Sequence, residues 1–367
     1  MTQKKEYKIC FISEQLASGG AERCAALLSQ FFESKSIKVH HIIVIDKIEY
    51  EFAGVVLNLG KHKNKANGIF NKLTRFNILR KYLLKNQFDF IIDFRVKNNQ
   101  FQELLITKFL YTVPYIMTIH SYMTELYFPK WHFLATKIYK DSYGIVSVSE
   151  RIKEKIGLEL GYKNKTTINN PIAIAEIQLR SQEKIVLDFD YILSVGRMDD
   201  DVKQFDKLIS AFAKSNLLNQ NIKLVLVGEG SLRAKLQEHA HALGLERQIY
   251  FLGWQENPFR FMRRAKFTVL ASKNEGFGNV LIESLACETP VISFDCLSGP
   301  SEIIKDKHNG LLVENQNFEK FTQAMNLMAE DIILYQFCKQ NALASVQQFS
   351  LENIGKQWLD YLKINVS

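Results

Sequence analysis

Glu275, Gly276, Phe277 and Gly278 lead into Asn279-Val280-Leu-Ile-Glu283, which sets two carboxylates eight positions apart, with a glycine-rich turn just after the first. The apolar run before them, Phe267-Thr-Val-Leu-Ala, reads as a buried parallel strand, so the unit is strand, glycine loop, helix. Such a turn leaves the first backbone N–H groups of the helix unpaired and pointing at one spot, which attracts a phosphate. Glu275 cannot bind phosphate itself, since like charges repel. It must face something neutral that carries hydroxyls, and a sugar fits. Glu283 lies more than a turn further on and would meet another part of the same ligand. Even a continuous helix separates the two carboxylates by only about 12 Å. A sugar, a diphosphate and a ribose in a row would bridge that span.

Strands and helices alternate along the whole chain, which predicts α/β layering on parallel sheets. In the first half the strand candidates are Lys8–Ser13, Val39–Ile45, Phe90–Phe94, Tyr115–Ile119 and Gly144–Val148. In the second they are Tyr191–Val195, Lys223–Val227, Ile249–Leu252, Phe267–Leu270, Val291–Phe294 and Gly310–Val313. The pattern weakens between Pro171 and Asp190, where a linker is expected, so the domains fall at 1–170 and 191–349. The tail 350–367 is helical by periodicity, with Ile354, Trp358, Leu359 and Leu362 on one face. Open parallel sheets bind ligands outside the carboxyl ends of their strands. Two such domains facing each other across a cleft would hold two substrates on opposite walls.

At 367 residues and 47% apolar content, both domains can bury a core. The N-terminus runs directly into a strand, so no secretory signal is expected, and no apolar run reaches membrane-spanning length. The five cysteines form no C-x-x-C pair and read as free thiols of a reducing cytoplasm. Charge is uneven. Residues 1–180 carry 27 Lys and Arg against 16 Asp and Glu, whereas the remainder carries 20 against 23. Ala53 to Phe88 holds eight basic residues and no acidic one, interleaved with Ile69, Phe70, Leu73, Phe76, Leu79 and Leu83. A basic amphipathic segment of this kind suits an anionic membrane surface, although an ordinary surface helix has the same pattern. No nucleic-acid-binding motif accompanies it.

The string from Glu275 through Glu283-Ser-Leu-Ala-Cys-Glu-Thr-Pro-Val-Ile, then Gly299-Pro-Ser-Glu-Ile-Ile and Asn309-Gly-Leu-Leu-Val, resembles the E-x7-E region of retaining glycosyltransferases of family 4, which have the GT-B fold. The resemblance implies two Rossmann-like domains, a C-terminal helix crossing back to the N-terminal one, acceptor binding in the first and nucleotide-sugar binding in the second. Gly196-Arg197 and Lys203 follow the strand Tyr191–Val195 and resemble the family's diphosphate-holding Arg and Lys. The chemistry calls for such cations, because a nucleoside diphosphate leaving group gains negative charge in the transition state. Gly19-Gly20-Ala21-Glu22-Arg23 resembles the G-G-A-E-R form of bacterial members. His120, just past the strand Tyr115–Ile119, matches the histidine that contacts the donor sugar. Gly228 and Gly230, and less firmly Gly253-Trp254, match turns beside the nucleotide. Gln204 and Glu288 depart from the family's small residue or glycine at their positions, which puts the local loop shape in question.

Asp199-Asp200-Asp201 offers carboxylates of the kind that hold a divalent metal, but cations already stand at the phosphate, and a solvated acidic loop is the better reading. No cofactor is implied. The resemblance implies transfer of a hexose or N-acetylhexosamine, most readily from a UDP-sugar, and the basic first half suggests a lipid-linked glycan acceptor at the inner face of the cytoplasmic membrane. The donor-binding set would be Gly20, Gly228, Gly230, Gly276, Phe277, Gly278, Asn279, Val280 and Glu283. Glu275, His120, Arg197 and Lys203 would sit at the reaction centre. A nucleotide-sugar epimerase or hydrolase on the same fold, or a non-catalytic binding module, are the competing expectations.

Overall fold

The computed structural model describes residues 5–65, 67–97, 99–129 and 132–365, and the chain divides into two compact units. Unit 1 is Met1–Pro171 with Leu351–Ser367, and unit 2 is Ile172–Ser350.

In unit 1 the chain runs β1 (Lys8–Ser13), α1 (Gly20–Ser34), β2 (Lys38–Ile43), β3 (Val55–Asn58), α2 (Ile69–Asn86), β4 (Phe90–Asp93) and α3 (Gln100–Phe109). It continues through β5 (Tyr115–Ile119), α4 (His132–Tyr139), β6 (Gly144–Ser147), α5 (Glu150–Leu160) and β7 (Lys165–Thr167). The seven strands form one sheet in the order β3-β2-β1-β4-β5-β6-β7, and every pairing is parallel. Alternation along the strands separates the two faces. Ile9, Phe11 and Ile92 pack with Phe31 and Phe32 of α1. The other face carries α2, α3 and α4. There Tyr82 meets His40 at 2.7 Å, Tyr111 donates to Asp93 at 2.8 Å, and Tyr115 donates to the Ile138 carbonyl at 3.1 Å.

Unit 2 opens with α6 (Ile174–Ser181), then β8 (Tyr191–Val195), α7 (Phe205–Ala213), β9 (Lys223–Val227), α8 (Arg233–Ala242), β10 (Ile249–Gly253) and α9 (Phe259–Arg264). It proceeds through β11 (Thr268–Leu270), α10 (Asn279–Ala286), β12 (Val291–Phe294), α11 (Pro300–Ile303), β13 (Gly310–Val313), α12 (Phe318–Glu330) and α13 (Ile332–Ser345). Its six parallel strands are ordered β10-β9-β8-β11-β12-β13. The last helix, α14 (Leu351–Leu362), returns to unit 1 and buries Ile354, Trp358, Leu359 and Leu362 in the core beside α1. The approach is so close that a Cβ on Gly355 would overlap the Phe31 ring.

Two departures from the sequence reading and one surface feature of α2 bear on the site. Strands β3 and β7 were not foreseen, because both are sheet edges and neither presents a fully buried apolar run. The span read as a linker holds α6, anchored to unit 2 where Asn257 donates to the Arg180 carbonyl at 2.8 Å. On α2, only Leu79 and Leu83 are buried, while Ile69, Phe70, Leu73 and Leu84 are exposed, Phe70 at 84%. At 3.6 residues per turn these four exposed side chains fall within about 100° of arc. Among the described residues no helix is long and apolar enough to cross a membrane.

Candidate active site

The carboxyl end of unit 2's sheet has one switch point. Strand β8 pairs with β9 on one side and β11 on the other, so the loops after β8 and β11 leave the sheet side by side. The first loop carries Gly196, Arg197 and Lys203, and the second carries Ser272 to Gly278. Sheet order therefore brings together residues 72 positions apart: the Lys203 ammonium is ion-paired with the Glu275 carboxylate, their side chains 21% and 12% exposed. A second ion pair, Lys273 with Asp201, runs in the opposite sense between the same two loops. The Lys273 N–H also donates to the Val202 carbonyl at 2.8 Å. Two crossed ion pairs and a backbone bond thus clip the loops together.

Arg197 stands exposed beside them. The turn after β9 closes the floor. Gly228 donates to the Gly253 carbonyl at 2.9 Å, and a Cβ at Gly228 would collide with the Gly196 carbonyl oxygen, so only glycine lets these turns touch. Gly230 sits equally tight against Met198. Trp254, beyond β10, is 64% exposed.

Helix α10 starts directly after Gly278, which takes the left-handed conformation with φ 99° and provides no side-chain cap. The first amides of the helix, from Asn279 and Val280, therefore have no side-chain acceptor from the cap position. With the helix dipole behind them, they suit an anion. Gly276 accepts a hydrogen bond from Ser298 Oγ at 2.9 Å, which ties the glycine loop to the turn before α11. Phe277 is 2% exposed and packs edge-on against Phe349 at 5.2 Å, so its ring wedges the loop and only its backbone can reach a ligand. Glu283 is 6% exposed, on the fifth residue of α10.

Gln204 and Glu288, the two departures noted above, both take left-handed conformations, with φ 48° and 58°. Their loops thus keep the shape that glycine favours, each with a side chain that stays in place by its contacts. Glu288 pairs with Arg263 at 2.8 Å, and Gln204 is 1% exposed at the start of α7. The three aspartates are each in use. Asp199 accepts from Ser231 N at 3.0 Å, Asp200 from Val202 N at 3.0 Å, and Asp201 is held by Lys273. No group of three or more His, Cys, Asp or Glu suited to a metal occurs among the described residues.

His120 and Gly20 belong to unit 1. Gly20 is the first residue of α1, and the Gly19 amide before it donates to the Tyr50 hydroxyl at 3.1 Å. His120 follows β5. Its backbone N–H donates to the Tyr127 hydroxyl at 3.2 Å, and its ring lies 5.7 Å from that of Phe94. Both ring nitrogens are closed off from solvent. Burial pushes the imidazole down to about 3, partly offset by the Asn170 side chain. The ring is therefore neutral, able to give one hydrogen bond and accept another but not to act as a cation.

Unit 1 also holds a polar constellation that the sequence reading missed. Arg95 grips Asp93 at 2.7 and 3.0 Å and Glu103 at 3.2 and 3.3 Å, while Lys97 Nζ lies 2.6 Å from Asp93 Oδ2. All four side chains are at most 7% exposed. Burial alone would raise Asp93, but Arg95 and Lys97 more than offset it and hold the carboxyl well below its usual range. The signal available beforehand was weak: Asp-x-Arg-x-Lys at the end of an otherwise apolar strand.

Comparisons with known proteins agree with this architecture. A family model described as glycosyl transferases group 1 matches residues 176–344. The Campylobacter jejuni N-acetylgalactosamine-N,N'-diacetylbacillosaminyl-diphospho-undecaprenol 4-alpha-N-acetylgalactosaminyltransferase is 33% identical over 370 residues, covering 95% of this chain and 97% of its own. A second C. jejuni protein, an alpha-1,4-N-acetyl-D-galactosaminyltransferase named for a diphospho-undecaprenol-linked acceptor, is 30% identical over 362 residues, covering 96% and 97%. Among solved structures, TarM of S. aureus superposes with a TM-score of 0.77 at 16% identity over 97% of this chain and 99% of its own. Anabaena HepE, solved with UDP, gives 0.75 at 19% identity over 97% and 99%. The chain belongs to the group 1 glycosyltransferase family and has the GT-B fold. It is a glycosyltransferase.

Proposed function

We propose that this chain is a retaining, metal-independent family 4 enzyme that moves a sugar from a UDP-sugar to a lipid-diphosphate-linked glycan in surface polysaccharide or oligosaccharide assembly. The observation that carries this reading is the convergence of Lys203, Glu275, Arg197 and the start of α10 at one switch point. The α10 amides, Arg197 and Lys203 hold the diphosphate. Glu275 orients the sugar, and Glu283 takes the ribose. The backbones of Gly20, Gly228, Gly230, Gly276 and Phe277 let the donor approach closely, and His120, whose ring nitrogens are closed off here, turns outward to give the sugar a neutral hydrogen bond.

The anomeric carbon loses its bond to the UDP oxygen and gains one to the acceptor hydroxyl on the same face. The hydroxyl proton passes to the departing phosphate oxygen, whose charge Lys203 and Arg197 stabilise. Arg197 and Lys203 supply positive charge of the kind a metal would bring, and the hydrogen bonds and ion pair made by Asp199, Asp200 and Asp201 support metal independence. The two C. jejuni relatives, both named for N-acetylgalactosamine transfer to undecaprenyl-diphosphate glycans, favour an N-acetylhexosamine as the sugar.

A lipid-linked acceptor requires approach to a membrane. The exposed arc of Ile69, Phe70, Leu73 and Leu84 on α2, with Arg80 and Lys81 on or beside it, suits peripheral binding to an anionic bilayer at the cytoplasmic face.

The test is a product assay. Purified protein is incubated with UDP-linked hexoses and N-acetylhexosamines and with a polyprenyl-diphosphate glycan ending in N-acetylgalactosamine, with and without EDTA. The expected product is an α-linked extension, seen by NMR, formed equally in EDTA. A β linkage overturns retention, and loss in EDTA restored by manganese overturns metal independence. Release or epimerisation of the sugar without any need for acceptor overturns the transferase reading.

A further inference from the structure

Unit 1 has a switch point of its own, between β1 and β4. Strand β2 follows β1 through α1 on one face, and β4 is reached through α2 on the other. Ligands of open parallel sheets sit in the crevice outside such strand ends. Glu14 is the first residue beyond β1. Its carbonyl accepts from Val44 N at 3.1 Å and Ile45 N at 2.8 Å, so the peptide that carries the side chain is fixed. The side chain is half-buried, yet among the described residues its carboxylate makes no hydrogen bond or ion pair. Burial pushes it upward, and the charges it feels are those of Arg95, Asp93, Lys97 and Glu103.

Arg95 and Lys97 are already ion-paired with Asp93 and Glu103, so neither cation is left to pair with Glu14 at the crevice. A carboxylate held partly out of water without donors costs free energy. A partner that brings donors removes the cost. A half-exposed carboxylate only accepts, and it matches a hydroxyl, which has a hydrogen to give. An acidic group would meet the Glu14 carboxylate and be repelled.

We propose that Glu14 holds hydroxyls of the acceptor's terminal sugar and restricts that sugar to uncharged residues. This rests on the transferase reading above. It adds a specificity-determining residue in unit 1 and fixes the chemical class of the acceptor's end.

The experiment uses the full chain and two synthetic acceptors that share a lipid and a linkage. One ends in N-acetylgalactosamine, the other in the same sugar oxidised at C6 to a carboxylate. The wild type should prefer the neutral acceptor. Glu14→Gln should raise the KM for that acceptor about tenfold, the loss of one charge-assisted hydrogen bond, and should narrow the discrimination against the acidic acceptor by a similar factor. The donor KM, and the rise in melting midpoint given by UDP, should match the wild type, which separates acceptor reading from a general loss of structure. Glu14→Ala should behave as Glu14→Gln or worse. Transfer by Glu14→Gln with an unchanged acceptor KM, or with unchanged discrimination, overturns this inference alone. No transfer by the wild type to any acceptor overturns the reading beneath it.

Discussion

The imidazole of His120 provides a quantitative test of how the end of β5 is built. Burial carries the ring from its ordinary 6.5 to about 3. The folded chain therefore refuses a proton that the unfolded chain accepts at mildly acid pH. Stability is complete above about pH 6.5 and is lost as the pH falls toward 3, because the unfolded state binds more protons over that window. At pH 5 this linkage amounts to about 2 kcal/mol for His120. His41, held down to about 4 by burial, adds a similar amount. The wild type should thus lose about 4 kcal/mol of unit 1 stability between pH 7.5 and 5, and His120→Asn only about half of that. A chain of two units need not unfold in one step, so the assay must report on unit 1 alone. Hydrogen exchange of peptides covering β5, read by mass spectrometry at both pH values, does so. The same neutrality implies a rate–pH profile with no imidazole titration between pH 5.5 and 8. An identical pH dependence of protection in wild type and His120→Asn, or a rate falling with a midpoint near 6.5, would refute the argument.

Two further outcomes follow from the geometry. Lys203→Ala and Arg197→Ala should each lower turnover about 100- to 1,000-fold with the fold retained, the loss typical of a donor to a developing anion. Adding Glu275→Gln to Lys203→Ala should recover part of the donor KM but not the turnover, since it removes a carboxylate left without its ammonium; near-wild-type turnover for both single variants defeats the phosphate assignment. Wild-type protein should sediment with anionic vesicles at low salt and not with neutral ones, each nearby Lys or Arg contributing about 1 kcal/mol. Replacing Lys72, Arg75, Lys81 and Lys85 with Gln should weaken that binding, as should Phe70→Ser with Leu73→Ser, and equal binding of the wild type to both vesicle types would argue against docking through α2.

Much of the fold was legible because buried parallel strands are written as short apolar runs. Tyr115–Ile119, Tyr191–Val195 and Val291–Phe294 match to the residue. Edge strands are not written that way. Lys165-Thr-Thr lacks any apolar residue, and only its pairing with β6 makes it a strand. Residue types in the loops after β8 and β11 could be read off the chain, but their pairing could not. That Lys203 meets Glu275 follows from β8 lying beside β11, and sheet order is a tertiary fact. Asp93, Arg95, Lys97 and Glu103 show the limit most plainly. Charges in a sequence read as solvated, and nothing local states that these four will neutralise one another under α3. Gln204 and Glu288 mislead in the other direction. Their identities suggest altered loops, whereas the backbone keeps the left-handed geometry and accepts a strain of about 1 kcal/mol at each.

The return of α14 to unit 1 sets an order of assembly during synthesis. Unit 2 is one continuous stretch, Ile172–Ser350, whereas unit 1 needs Leu351 onward to complete the core around Phe31. At an elongation rate of about 20 residues per second, the N-terminal sheet waits on the order of 10 s for its last helix. Throughout that interval the face of α1 that will receive Trp358 is open to water or to a chaperone, while unit 2 is free to close. A nascent chain stalled before α14 emerges should therefore carry a finished second unit and an unfinished first one. A truncation within the last dozen residues would strike the half of the protein made first.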